Sequence, residues 1–183
     1  MTLTLASGSP RRKELLSRAG WTLDICPPDV DETRLQGEDP VAMAKRLAMT
    51  KGLTIEAPVV VAADTIVHMA DSVMGKPIDR DHAASELRRL SGGWHGVTTG
   101  VMVRGPKGVV GFHQTTQVRF RRLTEDEIWA YVSTGEADDK AGSYGLQGLG
   151  GQFVAELHGS WTNVMGLPLE ATLQTLARLG AVR

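Results

Sequence analysis

Ser7-Gly8-Ser9-Pro10-Arg11-Arg12-Lys13 gathers the residue types that bind a phosphate group. Ser9 suits a helix N-cap and Pro10 the first helical position. A helix start there offers unpaired N–H groups and a partial positive charge to an anion. Ser7 and Ser9 add hydroxyl donors, and Arg11 and Arg12 add guanidinium forks that match phosphate oxygens. Three cations in a first turn oppose the helix dipole, so a helix built only for stability seldom carries them; a solvated cationic start is the competing reading. No G-x-x-x-x-G-K-[ST] is present, so this is not a Walker loop.

Four further segments could do chemistry. Asp64-Thr65 comes directly after the apolar run Val59 to Ala63, and an acid where a strand leaves the core either binds a metal, accepts a proton or caps the next turn. Gly75-Lys76-Pro77 supplies a cation for phosphate charge, or is an ordinary turn before an Asp79 N-cap. Asp31-Glu32 lies in a polar loop. Adjacent acids there are usually solvated, but Glu32 meeting Asp64 in space makes a hard oxygen site for Mg²⁺ or Mn²⁺. In Lys140 to Gly151 the glycines permit close backbone approach, and Gln147 can donate to and accept from a base edge.

Other residues carry less. His68, His82, His95, His113 and His158 show no paired metal-ligand spacing, and His95 reads as structural. Cys26, the lone cysteine, excludes an internal disulfide framework and reads as a passive thiol. The four tryptophans are scattered and form no stacking platform.

Pattern also predicts the elements that must position these groups. Leu3–Ala6 predicts a short buried strand, then a helix carrying Leu15, Leu16 and Ala19 and stopping at Gly20. A second helix begins at Asp39-Pro40. Val59–Ala63 predicts a buried strand ending at Asp64, and Ile66–Met69 pairs with Val73-Met74 around Ala70-Asp71-Ser72. Asp79 opens a helix, and Val97–Arg104 and Val109–Phe120 form a hairpin across Gly105–Gly108. Thr124-Glu125-Asp126-Glu127 is a capping box for a short helix. A strand over Phe153–Leu157 and a helix after Pro168 complete the chain. Without a strict βαβ repeat and with a central hairpin, the fold class is α/β with a mixed twisted β-sheet flanked by helices, not a Rossmann fold.

The 183 residues suit one domain, or two closely joined lobes with a cleft between them, spanning 1–183. A net charge of -1 provides no global field for nucleic acid or membrane, so phosphate binding must be local. With no signal-peptide pattern and no long apolar run, a soluble cytoplasmic protein is expected.

In order, Leu5-Ala6-Ser7-Gly8-Ser9-Pro10-Arg11-Arg12, Asp31-Glu32, Arg46-Leu47-Ala48 with Lys51, and Ala63-Asp64-Thr65-Ile66-Val67 resemble the Maf family of nucleoside triphosphate pyrophosphatases. So do Gly75-Lys76-Pro77-Ile78-Asp79, Leu90-Ser91-Gly92 with His95, Asp139 to Gly148, and Val164-Met165-Gly166-Leu167-Pro168-Leu169. The likeness covers nearly the whole chain. It implies an ITPase/Maf-like fold, a homodimer, and hydrolysis of a nucleoside triphosphate to the monophosphate and pyrophosphate. Arg11, Thr65 and Gln147 match the branch acting on dTTP and UTP, whereas the branch associated with 7-methyl-GTP shows Ser-Pro-Trp-Arg-Arg, Asp-Gln and Ser-Glu-Gly. Modified pyrimidine triphosphates are further substrates in keeping with that branch.

The resemblance further implies that Asp64, Glu32 and Lys76 are catalytic. Glu32 and Asp64 would hold a divalent cation (Mg²⁺, Mn²⁺ or Co²⁺), and either acid could be the base. Ser7, Ser9 and Arg12 would clamp phosphate, and Arg11, Lys51, Thr65 and Gln147 would read the base. Ser143 and Asn163 depart from the family pattern; neither belongs to the catalytic set, but either could adjust substrate preference. The alternatives are a nucleotide sensor, or a regulator of septation or cell shape with little catalysis.

Overall fold

The computed structural model describes residues 1–70 and 72–182; Asp71, expected in a hairpin turn, and Arg183 lie outside them. Strand β1 (Thr2–Ala6) buries Leu3, Leu5 and Ala6 completely. Helix α1 (Pro10–Arg18) buries Leu15 and Leu16 and ends before Gly20, whose φ of 86° suits glycine. Ser9 occupies the N-cap, but its hydroxyl caps no backbone N–H. β2 (Thr22–Ile25) runs parallel to β1; it was not foreseen, because this edge strand is largely exposed and lacks clear alternation.

Helix α2 (Pro40–Leu53) is capped by Asp39, which accepts from the N–H groups of Val41 and Ala42. β3 (Val60–Met69) then passes straight through Asp64, so the expectation that a strand ends there is corrected. Its ladder to the antiparallel strand β5 (Trp94–Gly105) continues unbroken from Val60 to His68. On the other edge of β3 two strands share the space. β1 pairs in parallel with Val60–Ala62, and β4 (Ser72–Met74) pairs antiparallel with Val67–Met69. Ala63, Asp64, Thr65 and Ile66 face the fork between them, and an acid is tolerated in mid-strand because the sheet opens there.

Asp79 caps α3 (Arg80–Leu90) by accepting from His82 N–H. β5 and β6 (Gly108–Phe120) form the expected hairpin, with Gly105 opposite Gly108. The capping box of Thr124 and Glu127 opens α4 (Glu125–Ser133). Two 3-10 turns at 141–143 and 149–153 shape the glycine-rich segment before β7 (Val154–His158). The one-turn α5 (Trp161–Val164) was not foreseen, and α6 (Leu169–Arg178) comes after Pro168.

The sheet order is β2-β1-β3-β5-β6-β7, with β4 beside β3, a mixed sheet of the expected class. Leu5, Leu16, Val61, Ala63 and Leu176 belong to one core, and Val67, Leu87, Phe120, Ile128 and Phe153 to another. The two cores divide along β3 between Ala63 and Val67, at the fork. Successive strand residues point to opposite faces. Asp64 therefore faces α2, and Thr65 faces α1.

Candidate active site

A cleft of about 660 Å³ opens at the fork, within the range of small-molecule sites. Every residue given a catalytic or binding role from the sequence lines it: Ser7, Ser9, Arg11 and Arg12 from the first turn, then Glu32 and Lys51. Asp64, Thr65, Lys76 and Gln147 complete the set.

Lys51 is the junction of the acidic side. Carried in the last turn of α2, its ammonium donates to Asp64 Oδ1 at 2.6 Å and lies 2.7 Å from Glu32 Oε1. The resemblance grouped Lys51 with the base readers; in the structure its ammonium also lies between the two acids. Asp64 is only 6% exposed, so without this ammonium its charge would be poorly compensated. Gly100, opposite Asp64 in the β3–β5 ladder, permits the contact. A Cβ at Gly100 would stand 2.1 Å from the Ala44 carbonyl oxygen, so α2 packs this close only over a glycine. Glu32 sits in a loop shaped by Asp31, which accepts from Thr33 N–H, and by Arg46, which donates to the Thr33 carbonyl and forks onto Glu38.

Arg12 organises the cationic side. Its Nε donates to Gly166 O at 2.7 Å, Nη1 to Ser7 Oγ at 2.9 Å and Nη2 to Thr65 Oγ1 at 3.0 Å. A guanidinium has five donors, so two N–H groups remain without a partner among the described residues. Burial pulls the Arg12 pKa below its ordinary value, with the nearby Asp64 charge opposing; arginine stays protonated regardless. Thr65 also meets Thr99 Oγ1 at 3.0 Å, which fixes its hydroxyl inside this network. Ser7 Oγ accepts from Ser9 N–H. Lys76 and Gln147 are exposed at the rim, where their side chains can move onto a ligand.

Asn163 and Ser143, the two departures from the family pattern, do not line the cleft themselves. Asn163 is fully buried and donates to Val97 O and Thr116 Oγ1, joining α5 to the β5–β6 hairpin. Ser143 points away from the cleft onto Glu86. His95 is structural: it is buried, hydrogen-bonds Tyr144 Oη and meets Phe120 edge-on. Burial, aided by the charge of His68, holds its pKa down at about 4. Sequence reasoning missed the apolar wall of Leu146, Val164 and Met165, because apolar residues at a site look like core. It also missed the Gly166 carbonyl, for which no side chain gives a signal.

A helix start rich in cations faces two acids across a cleft in an α/β protein, a charge arrangement suited to a phosphorylated anion. A profile described as Maf-like protein matches residues 2–179. A protein of Anaeromyxobacter dehalogenans (strain 2CP-C) named dTTP/UTP pyrophosphatase is 48% identical over 182 residues, covering 97% of this chain and 94% of that protein. One of the same name from Aquifex aeolicus (strain VF5) is 40% identical over 183 residues, covering 98% and 96%. The chain belongs to the Maf family. The solved Staphylococcus aureus Ham1 protein overlays 66% of this chain and 72% of its own, at a TM-score of 0.45 and 13% identity, a likeness too loose to add to the fold described above.

Proposed function

We propose that the protein hydrolyses dTTP and UTP to the monophosphate and pyrophosphate, and that modified pyrimidine triphosphates are further substrates. The observation that carries this reading is the pairing of Glu32 and Asp64 through Lys51 across the cleft from Arg12 and the α1 start. The names of the relatives agree with it.

Water attacks the α-phosphorus; its oxygen bonds to phosphorus while the bond to the bridging oxygen of the β-phosphate breaks, and pyrophosphate leaves. Asp64 orients the water and takes its proton. Arg12, Lys76, Ser7 and Ser9 hold the phosphate oxygens, with the N–H groups of the α1 first turn behind them. Loss of one such preorganised donor lowers the rate by about 10²–10³.

Glu32 and Asp64 suit a divalent cation. They are hard oxygen donors gathered within reach of one ammonium, and Mg²⁺ is commonly held by one or two carboxylates plus substrate phosphates. When bound, Mg²⁺, Mn²⁺ or Co²⁺ would neutralise charge on the phosphates. Arg11, Lys51, Thr65 and Gln147, all lining the cleft, read the base. Cationic donors near O4 of the base reject the amino group of cytosine, so CTP turns over more slowly than UTP.

No helix among the described residues is long and apolar enough to cross a membrane. A cytoplasmic setting and a homodimer belong to the same proposal, and sedimentation in solution tests the latter. A septation regulator or nucleotide sensor without turnover is disfavoured, because binding alone does not call for the acid pair. Hydrolysis of dTTP in H₂¹⁸O tests the chemistry: attack at the α-phosphorus puts the label in dTMP, whereas label in pyrophosphate contradicts it.

A further inference from the structure

Glu86 sits in the middle of α3, 2% exposed, on the face that otherwise presents Ala83, Leu87 and Leu90 to the core. A carboxylate buried among such residues needs partners. One oxygen accepts a short hydrogen bond from Ser143 Oγ, and the other lies 3.8 Å from His82 Nε2. Ser143 is itself fully buried and holds a left-handed backbone, φ 60°, directly after Gly142 at φ 69°. A β-carbon is disfavoured in that conformation, so a serine stays there because something outside its own backbone holds it.

On the C-terminal side of Ser143, Tyr144 to Gln147 form a wall of the cleft. On its N-terminal side the chain is tied to the phosphate-binding edge, since Gly142 N–H donates to the Gly75 carbonyl at 3.1 Å, next to Lys76. The Glu86–Ser143 contact lies behind both. We propose that Glu86 is a positioning residue: by clamping Ser143 it sets the backbone that presents Gln147 to the nucleobase. Neither Glu86 nor Ser143 touches the cleft, so their effect is on selection and binding, not on the reacting atoms. The consequence for base selection rests on the dTTP/UTP reading; the clamp itself does not.

Three variants test it: Ser143→Gly, the apolar pair Glu86→Met with Ser143→Ala, and Glu86→Gln, whose amide oxygen can still accept from Ser143. Replacing both polar partners with apolar groups leaves no orphaned charge, so the pair keeps the fold; glycine suits the positive φ, and circular dichroism and thermal unfolding check that Ser143→Gly stays folded without the hydroxyl Glu86 accepts from. Amide hydrogen exchange is read over Tyr144–Gly148, and KM and kcat are measured for dTTP, UTP and CTP. The clamp predicts exchange in that segment faster by ~10-fold in Ser143→Gly and in the apolar pair. It further predicts KM for dTTP up by ~5–10-fold, kcat within about twofold, and weaker discrimination against CTP. Glu86→Gln stays within about twofold of wild type throughout. Unchanged exchange in that segment overturns the clamp, and so does a Glu86→Gln variant as impaired as the apolar pair. If the wild-type protein turns over neither dTTP nor UTP, the substrate reading fails by itself and hydrogen exchange alone decides the clamp.

Discussion

Asp64 and Gly100 lie opposite one another in the β3–β5 ladder, and the missing side chain of Gly100 is what lets α2 bring Lys51 to Asp64. The sheet thus sets the acid, the helix supplies its cation, and a glycine sets the spacing between them.

Gly100→Ala is the corresponding test. Its Cβ would stand 2.1 Å from the Ala44 carbonyl oxygen, against backbone that has no room to rotate away. Forcing α2 outward is expected to destabilise the protein by about 3 kcal/mol. For a chain of this size that is a fall in Tm of roughly 6–12 °C. Pyrophosphate release should fall with it, as Lys51 is drawn from Asp64; thermal unfolding and a release assay read both.

Lys51→Met leaves Asp64, 6% exposed, without its ammonium. A buried charge stripped of its partner is costly, here about 1–3 kcal/mol. Two carboxylates relieved of the lysine should instead recruit a divalent ion. Mg²⁺ is therefore expected to raise the Tm of Lys51→Met more than that of wild type, by calorimetry with and without the metal. Equal shifts would count against the acids as its ligands.

Arg12→Lys keeps the charge but loses the fork that reaches Gly166, Ser7 and Thr65 together. We expect kcat/KM for dTTP to drop by about 10²-fold. Lys13→Ala, an exposed cation in the same turn but outside the cleft, should leave it within about twofold. Similar losses in both variants would mean that only the total charge of the turn matters.

The buried His95 carries a pH signature. Its folded pKa lies at about 4, below the ordinary 6.5, because burial disfavours the imidazolium. Between those values the unfolded chain binds more protons, so stability falls as pH drops from about 6.5 to about 4 and this contribution is flat above. The full effect is about 3 kcal/mol. Urea unfolding across that window should show the slope, and His95→Asn should remove most of it.

Polar residues in apolar surroundings made much of the site legible. Asp64 after Val59–Ala63 and cations beside Pro10 stand out because a core would not choose them. Legibility ended where information was three-dimensional. Thr22–Ile25 and Trp161–Val164 lack a pattern of their own and form only because β1 and the β5–β6 hairpin accept them. Asp64 looked like a strand end because no sequence signal reports that the partner strand, not β3, stops there. Glu86 did leave a trace, an acid on the apolar face of Ala83, Leu87 and Leu90, but its partner Ser143 lies 57 residues away. The contact of Lys51 with the two acids was hidden likewise, since a lysine near a helix end is ordinary until Asp64 is found beneath it.

The most direct test of the central claim is pyrophosphate release from dTTP, UTP, CTP, GTP and 7-methyl-GTP with Mg²⁺, Mn²⁺ or Co²⁺, comparing wild type with Asp64→Asn. The expected result is metal-dependent turnover of dTTP and UTP that falls by at least about 10²–10³ in the variant while the fold persists. Turnover confined to 7-methyl-GTP would contradict the base-reading assignment. Undiminished turnover of dTTP by Asp64→Asn would contradict the assignment of the reaction to this cleft.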